Sequence, residues 1–266
     1  MRLSRLTRGV PSLKSAALLL LGAHLALGAG DPVSRPKALT PEEAAKKGRE
    51  LVAEILAQRP ATNSVINGTI RVREGNGKRS EVRVQARVSR SANGWQEQYV
   101  ALGTNGSPSA FFTIVHLDNG SAAYWLDRSV GSQAETNASP QLAEQDTMQP
   151  FAGSDFWLAD LARQFFNWPD QRLVKSEMRK SRSCRVLESV NPHPAPGAYS
   201  RVLSWIDLET DGIVMAEAYD INGKLLKEFE PKDFKKVNGQ WQLEEVRMYN
   251  DQTDSTTWIN FDVGGK

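Results

Sequence analysis

From Ser64 onward the apolar residues of this chain fall on alternate positions. Ile66, Ile70 and Val72 alternate with Asn67, Thr69 and Arg71, and Val82, Val84, Ala86 and Val88 alternate with Arg83, Gln85 and Arg87. A period of two sends successive side chains to opposite faces, so each strand has one apolar and one charged face, as in an antiparallel sheet covered on one side. The pattern predicts further strands at about residues 95–102, 109–117 and 121–127. A second series follows at about 171–179, 183–190, 199–208, 213–220, 224–236, 240–249 and 255–263. Residues 111–115 are apolar on both faces, which predicts a strand covered on both sides.

Six dipeptides punctuate these runs: Asn93-Gly94, Asn105-Gly106, Asn119-Gly120, Asp211-Gly212, Asn222-Gly223 and Asn238-Gly239. A tight hairpin turn needs positive φ at its central residues, and these pairs supply it at least steric cost. Gly75-Asn76-Gly77-Lys78 joins the first two strands in the same way. The chain reads as two antiparallel meanders with a helical insert between them. Such a sheet, curled on itself, encloses a cavity rather than a catalytic cleft.

The period changes to 3.6 in two places. Thr40 caps a helix whose first position is Pro41, and Leu51, Val52, Ile55 and Leu56 share a face with Ala44 and Ala45 before Arg59-Pro60 ends it. Residues 129–150 are rich in Ser, Gln, Asn and Ala and read as a mobile loop. Ser154-Asp155 then opens a second helix carrying Phe156, Trp157, Leu161, Phe165 and Phe166, which Asn167-Trp168-Pro169 stops. This aromatic helix either buries its rings against the sheet or serves as a lid over an apolar cavity.

The N-terminus carries an address. Arg2, Arg5, Arg8 and Lys14 precede an apolar run from Ala16 to Leu27, and small residues follow at Gly28, Ala29 and Gly30. This predicts a secretory signal peptide over residues 1–30, too short to span a bilayer, which needs about 20 apolar residues. The remaining residues, 31–266, read as a single domain outside the cytoplasm. Without those 30 residues, 29 basic side chains face 31 acidic ones. A near-neutral domain is a poor partner for nucleic acid. The basic stretch Arg172, Lys175, Arg179, Lys180, Arg182 and Arg185 reads as a solvated outer face.

Catalytic chemistry is sparse. Cys184 is the one cysteine and reads as a buried filler. His116 and His193 have no ligand-like spacing to each other or to Cys184, so no metal or other cofactor is expected. No Gly-x-Ser-x-Gly elbow occurs, and Glu244 and Glu245 point to opposite faces of a strand. The chain is not expected to be an enzyme.

Several segments of the second half are similar to a known family. Phe151-Ala152-Gly153-Ser154-Asp155-Phe156, followed by Asp160-Leu161, resembles the signature of bacterial outer-membrane lipoprotein-sorting proteins, the wider family around the periplasmic carrier LolA. Trp205-Ile206-Asp207, the run from Met215 to Asp220, Asn222-Gly223-Lys224-Leu225-Leu226-Lys227, the run from Lys236 to Trp241 and the run from Thr256 to Phe261 fit as well. Trp157-Leu158-Ala159 stands where the family usually has more polar residues.

The resemblance implies an α+β fold: an incomplete, half-open antiparallel β-barrel of about 11–12 strands with covering helices. It also implies a periplasmic carrier that binds acyl chains of lipids or lipoproteins between sheet and helices. Such a carrier would take cargo from an inner-membrane donor to an outer-membrane acceptor. Phe156, Trp157, Leu161 and Phe165 on the lid are the expected cavity residues, with Phe112, Ile114, Trp205, Met215 and Trp258 from the sheet. The alternative reading is a non-catalytic module that senses lipid or a partner peptide in envelope stress.

Overall fold

The computed structural model describes residues 39–118, 120–128, 140–237 and 239–264. The expected signal peptide and the first part of the expected loop, 129–139, lie outside the described residues.

Helix α1 spans Pro41–Leu56 and starts where the cap predicts. Thr40 Oγ1 accepts from the Glu43 backbone, and Glu43 Oε2 accepts from the Thr40 backbone at 2.9 Å. Its buried side is Gly48, Leu51 and Val52. A Cβ on Gly48 would lie 2.6 Å from the Gln171 carbonyl and the Arg172 amide. Only glycine lets the helix approach this strand so closely.

The strands are β1 (Ser64–Arg73), β2 (Arg79–Ser91), β3 (Gly94–Leu102), β4 (Pro108–Leu117), β5 (Ala122–Asp127) and β6 (Gln141–Leu142), then β7 (Asp170–Arg179), β8 (Arg182–Val190), β9 (Arg201–Asp207), β10 (Ile213–Tyr219), β11 (Leu225–Val237), β12 (Gln240–Asn250) and β13 (Ser255–Phe261). Twelve of them match the alternating runs. The thirteenth, β6, falls with a 3-10 turn, Glu144–Thr147, in what reads as loop from sequence. There Thr147 is fully buried and its hydroxyl donates to the Gln164 side chain, so tertiary packing orders a polar stretch.

All neighbours pair antiparallel in one sheet, ordered β6-β5-β4-β3-β2-β1-β13-β12-β11-β10-β9-β8-β7. The two meanders therefore join at the middle, where β1 pairs with β13, and not where they adjoin in sequence. The chain leaves the first meander at one edge and enters the second at the other. Residues 143–169 must cross the whole face between β6 and β7. The sheet does not close into a barrel. This topology is why the insert covers the concave face.

Register fixes the two faces. Ile70, Ile259 and Val246 lie in one row, as do Phe229 and Met248, and all face inward. Leu187, Val202, Ile206 and Ala218 continue the inner face beneath α1. Most of the basic stretch lies at the outer side, where cations meet carboxylates: Arg172 with Glu188, Lys175 with Glu177, Arg179 with Glu217, Lys180 with Glu230 and Arg182 with Asp207. Arg185 departs from this, sharing the parity of Leu187 and reaching Glu54 of α1 as well as Asp211. Cys184 is buried, and burial pushes its thiol pKa up.

Candidate functional site

The covering segment is not one helix. Phe151 to Ser154 form a tight turn with positive φ at Ala152 and Gly153, closed by the Ser154 amide on the Phe151 carbonyl at 3.0 Å. Helix α2 is only Leu158–Leu161. Arg163 then adopts a left-handed backbone, φ 49°, and a 3-10 turn, Gln164–Asn167, follows. The aromatic pattern of a continuous helix is thus split at Arg163. Ion pairing accounts for the split: the Arg163 guanidinium reaches Glu97 Oε1 on β3 at 2.6 Å. The 3-10 turn is held by the Gln171 side chain, which donates to the Phe165 and Trp168 carbonyls at 2.9 Å each.

The family-like signature has a structural job. Asp155 accepts from the Ser255, Thr257 and Asn250 side chains, so it pins the segment to β12 and β13. Asp160 Oδ2 accepts from the Trp157 amide at 2.7 Å and the Tyr199 hydroxyl at 3.1 Å. It also faces Lys227 Nζ of β11 at 3.6 Å. Lys227 is 1% exposed. Its ammonium donates to the Asp155 carbonyl at 2.6 Å and lies 3.6 Å from the Trp157 ring centre. Trp157 itself is half-buried and stacks on Tyr199 at 4.6 Å. Burial lowers the Lys227 pKa to about 8 and raises that of Asp160.

A second buried ionic group holds the other side. Glu97 meets Arg163, His116 Nε2 at 3.2 Å and the Tyr99 hydroxyl at 3.1 Å. His116 stacks on Trp95 with ring centres 3.9 Å apart. Burial would raise the Glu97 pKa, but Arg163, His116 and Tyr99 outweigh it and hold the carboxyl below its ordinary value. Asp160 and Arg163 are three residues apart, yet they engage β11 and β3. Five strand spacings separate those strands, or roughly 24 Å in a flat sheet. The sheet must curl to bring both within reach.

Between this segment and the inner face lies a hollow of about 100 Å³. Phe156, Leu161 and Phe165 line it from above, and Phe229, Val246 and Met248 are among the residues below. An apolar cavity of ~150 Å³ holds a molecule the size of benzene. The hollow is therefore smaller than an acyl chain needs while the segment stays in place.

The expected site residues fall into three groups. Phe156, Leu161 and Phe165 line the hollow, and Trp157 lies beside it over Lys227. Phe112 and Ile114 face inward but are fully buried; Phe112 is flanked by Tyr99 and Tyr124. The placement of Trp205, Met215 and Trp258 needs correction, because all three point to the outer face. Trp205 and Met215 pair across β9 and β10 and pack with Cys184 and Val186, under the Arg179 guanidinium 5.1 Å from the Trp205 ring. Trp258 stands between Arg71 and Arg247 in register. Apolar side chains on both faces of β9 and β10 left the inward parity ambiguous.

The buried ions were not expected. One signal was present: Lys227 shares parity with Phe229, and Glu97 shares parity with Trp95 and Tyr99. A charge on the apolar face of a strand marks a buried pair. Among the described residues, no cluster of His, Cys, Asp and Glu is placed to hold a metal, and no helix is long and apolar enough to cross a membrane.

Comparison with known proteins adds the fold relationship. A family model described only as "Uncharacterized protein" matches residues 135–263. No curated protein sequence matches the chain. A putative outer membrane lipoprotein-sorting protein domain from Vibrio parahaemolyticus superposes with a TM-score of 0.64 at 20% identity, covering 84% of this chain and 95% of that one. A DUF1329 family protein from Desulfovibrio piger gives 0.63 at 18% identity, over 84% and 95%. A LolA superfamily protein from Nitrosomonas europaea gives 0.55 at 18% identity, over 82% and 91%. The chain has the LolA-like open-barrel fold that these structures share.

Proposed function

We propose that this protein is a periplasmic carrier that binds acyl chains of lipids or lipoproteins between its curled sheet and the segment from Phe151 to Trp168. It works by binding and release rather than by catalysis, as one domain freed from its signal peptide. The observation that carries this reading is the apolar hollow beneath Phe156, Leu161 and Phe165. The shared fold with a lipoprotein-sorting domain supports it.

The energetics suit a shuttle. Each methylene kept from water contributes about 0.8 kcal/mol, so a fifteen-methylene chain is held by roughly 12 kcal/mol. Such a chain does not cross water unaided at a useful rate. A carrier that filled its own cavity when empty would bind less tightly and could release. Phe156, Leu161 and Phe165 occupy the space that cargo would take. Native mass spectrometry of protein isolated from its own periplasm tests the reading: a bound lipid or acylated protein is expected. Protein that carries no lipid, and takes up none from added vesicles, would refute it.

A further inference from the structure

The hollow is not uniformly apolar. Three charged side chains line it, Asp160, Arg163 and Lys227, of which two are cations. The two cations differ in availability. Lys227 is 1% exposed and enclosed by the Asp155 carbonyl, the Asp160 carboxylate and the Trp157 ring. The Arg163 side chain is 28% exposed, and its hydrogen bond to Glu97 uses Nη2 alone among its donors. A guanidinium has five N–H donors in a planar fork that matches a carboxylate or a phosphate.

Glu97 does not depend on Arg163 alone. The Tyr99 hydroxyl donates to the same carboxylate at 3.1 Å, and His116 Nε2 lies 3.2 Å from it without hydrogen-bond geometry. Arg163 can turn toward a ligand while Glu97 keeps the Tyr99 hydroxyl. Glu97 is also not among the residues that line the hollow, so an anion there meets two cations and one carboxylate.

We propose that the hollow selects a single acyl chain with an anionic head, a carboxylate or a phosphate, and that Arg163 holds that head at the exposed end of the cavity. This inference rests on the carrier reading and narrows it to a ligand class. The tail lies along Phe229, Val246 and Met248 once the covering segment yields. Glu97 is the internal competitor for Arg163, which moderates affinity and favours release.

Displacement of a neutral fluorescent acyl probe by palmitate, hexadecyl phosphate, methyl palmitate and hexadecanol tests this. One of the two anions is expected to bind about tenfold more tightly than the ester and the alcohol, the strength of a charge-assisted contact. Whichever anion binds more tightly identifies the head. Arg163→Gln should bring the ratio of anion to ester affinity to about one. Glu97→Gln should raise that ratio, an effect that damage to the fold would not produce. Equal affinity for anions and neutral compounds in the unaltered protein would overturn the inference and leave the carrier reading standing. So would a ratio that Arg163→Gln leaves unchanged, or that Glu97→Gln lowers. Failure of every compound, the probe included, to bind would instead refute the carrier reading.

Discussion

The ammonium of Lys227 lies beneath the Trp157 ring, 3.6 Å from its centre, so a cation from the second meander is sealed by the segment that crosses between the two edges of the sheet. A buried ammonium is costly unless it is paired. Here Asp160 and the Asp155 carbonyl share it, and both belong to that crossing segment. The contact makes the closed position of the segment electrostatically specific, where apolar packing alone would not fix it.

Removing the ammonium should expose this dependence. Lys227→Met leaves Asp160 without its cation and the Asp155 carbonyl without its donor. A loss of about 3 kcal/mol is expected. Combining it with Asp160→Asn should cost less than the sum of the two single changes by at least about 1 kcal/mol. Urea denaturation of the four proteins gives this coupling; additive losses would contradict the pairing.

Lys227 should also set a pH dependence. Its folded pKa lies near 8, below the ordinary 10.5. Below pH 8 both states are protonated and this group gives no slope. Between about 8 and 10.5 the unfolded chain holds a proton that the native state lacks, so stability rises with pH. The rise attributable to Lys227 is about 3 kcal/mol across that window. It is measured as the stability of the unaltered protein minus that of Lys227→Met at each pH. A difference that stays flat from pH 7.5 to 10.5 would show that the group is not titrating there.

The two faces of the sheet separate binding from packing. Leu161→Asp places a carboxylate in the hollow and should weaken acyl-probe binding at least about tenfold without loss of strand signal. Trp205→Ala removes a larger side chain, but from the outer face. Its effect on probe affinity should stay within about twofold, since the packing it loses with Val186 and Met215 lies behind the strand. Titration with one fluorescent probe compares them, and a larger loss from Trp205→Ala would reverse the assignment of faces.

Much of the sheet could be read from the residues. Alternation and Asn-Gly or Asp-Gly turns locate twelve strands, because local sterics and one-sided burial dictate both signals. The cap at Thr40 marks its helix for the same local reason. What escaped depends on distant partners. Arg163 sits mid-pattern in an aromatic helix, and only Glu97, 66 residues earlier, explains its left-handed backbone. Trp205 and Met215 lie on strands that are apolar on both faces, so parity does not say which face is the cavity. β6 forms within a mostly polar stretch because its one apolar residue, Leu142, meets Tyr124 across the edge of the sheet. In the signature around Asp155, sequence gives the likeness, and the structure adds the mechanical reason: the carboxylate ties the crossing segment to Ser255 and Thr257.

Acyl binding as proposed requires that segment to move away from the hollow. Trp157→Cys and Tyr199→Cys, in a Cys184→Ser background, put thiols where two rings now stack 4.6 Å apart. Joining them with a short reducible crosslinker and following acyl-probe uptake before and after reduction measures whether opening is required. Uptake should be absent while the link is intact and return when it is cut. Equal uptake by the linked and the reduced protein would contradict the account.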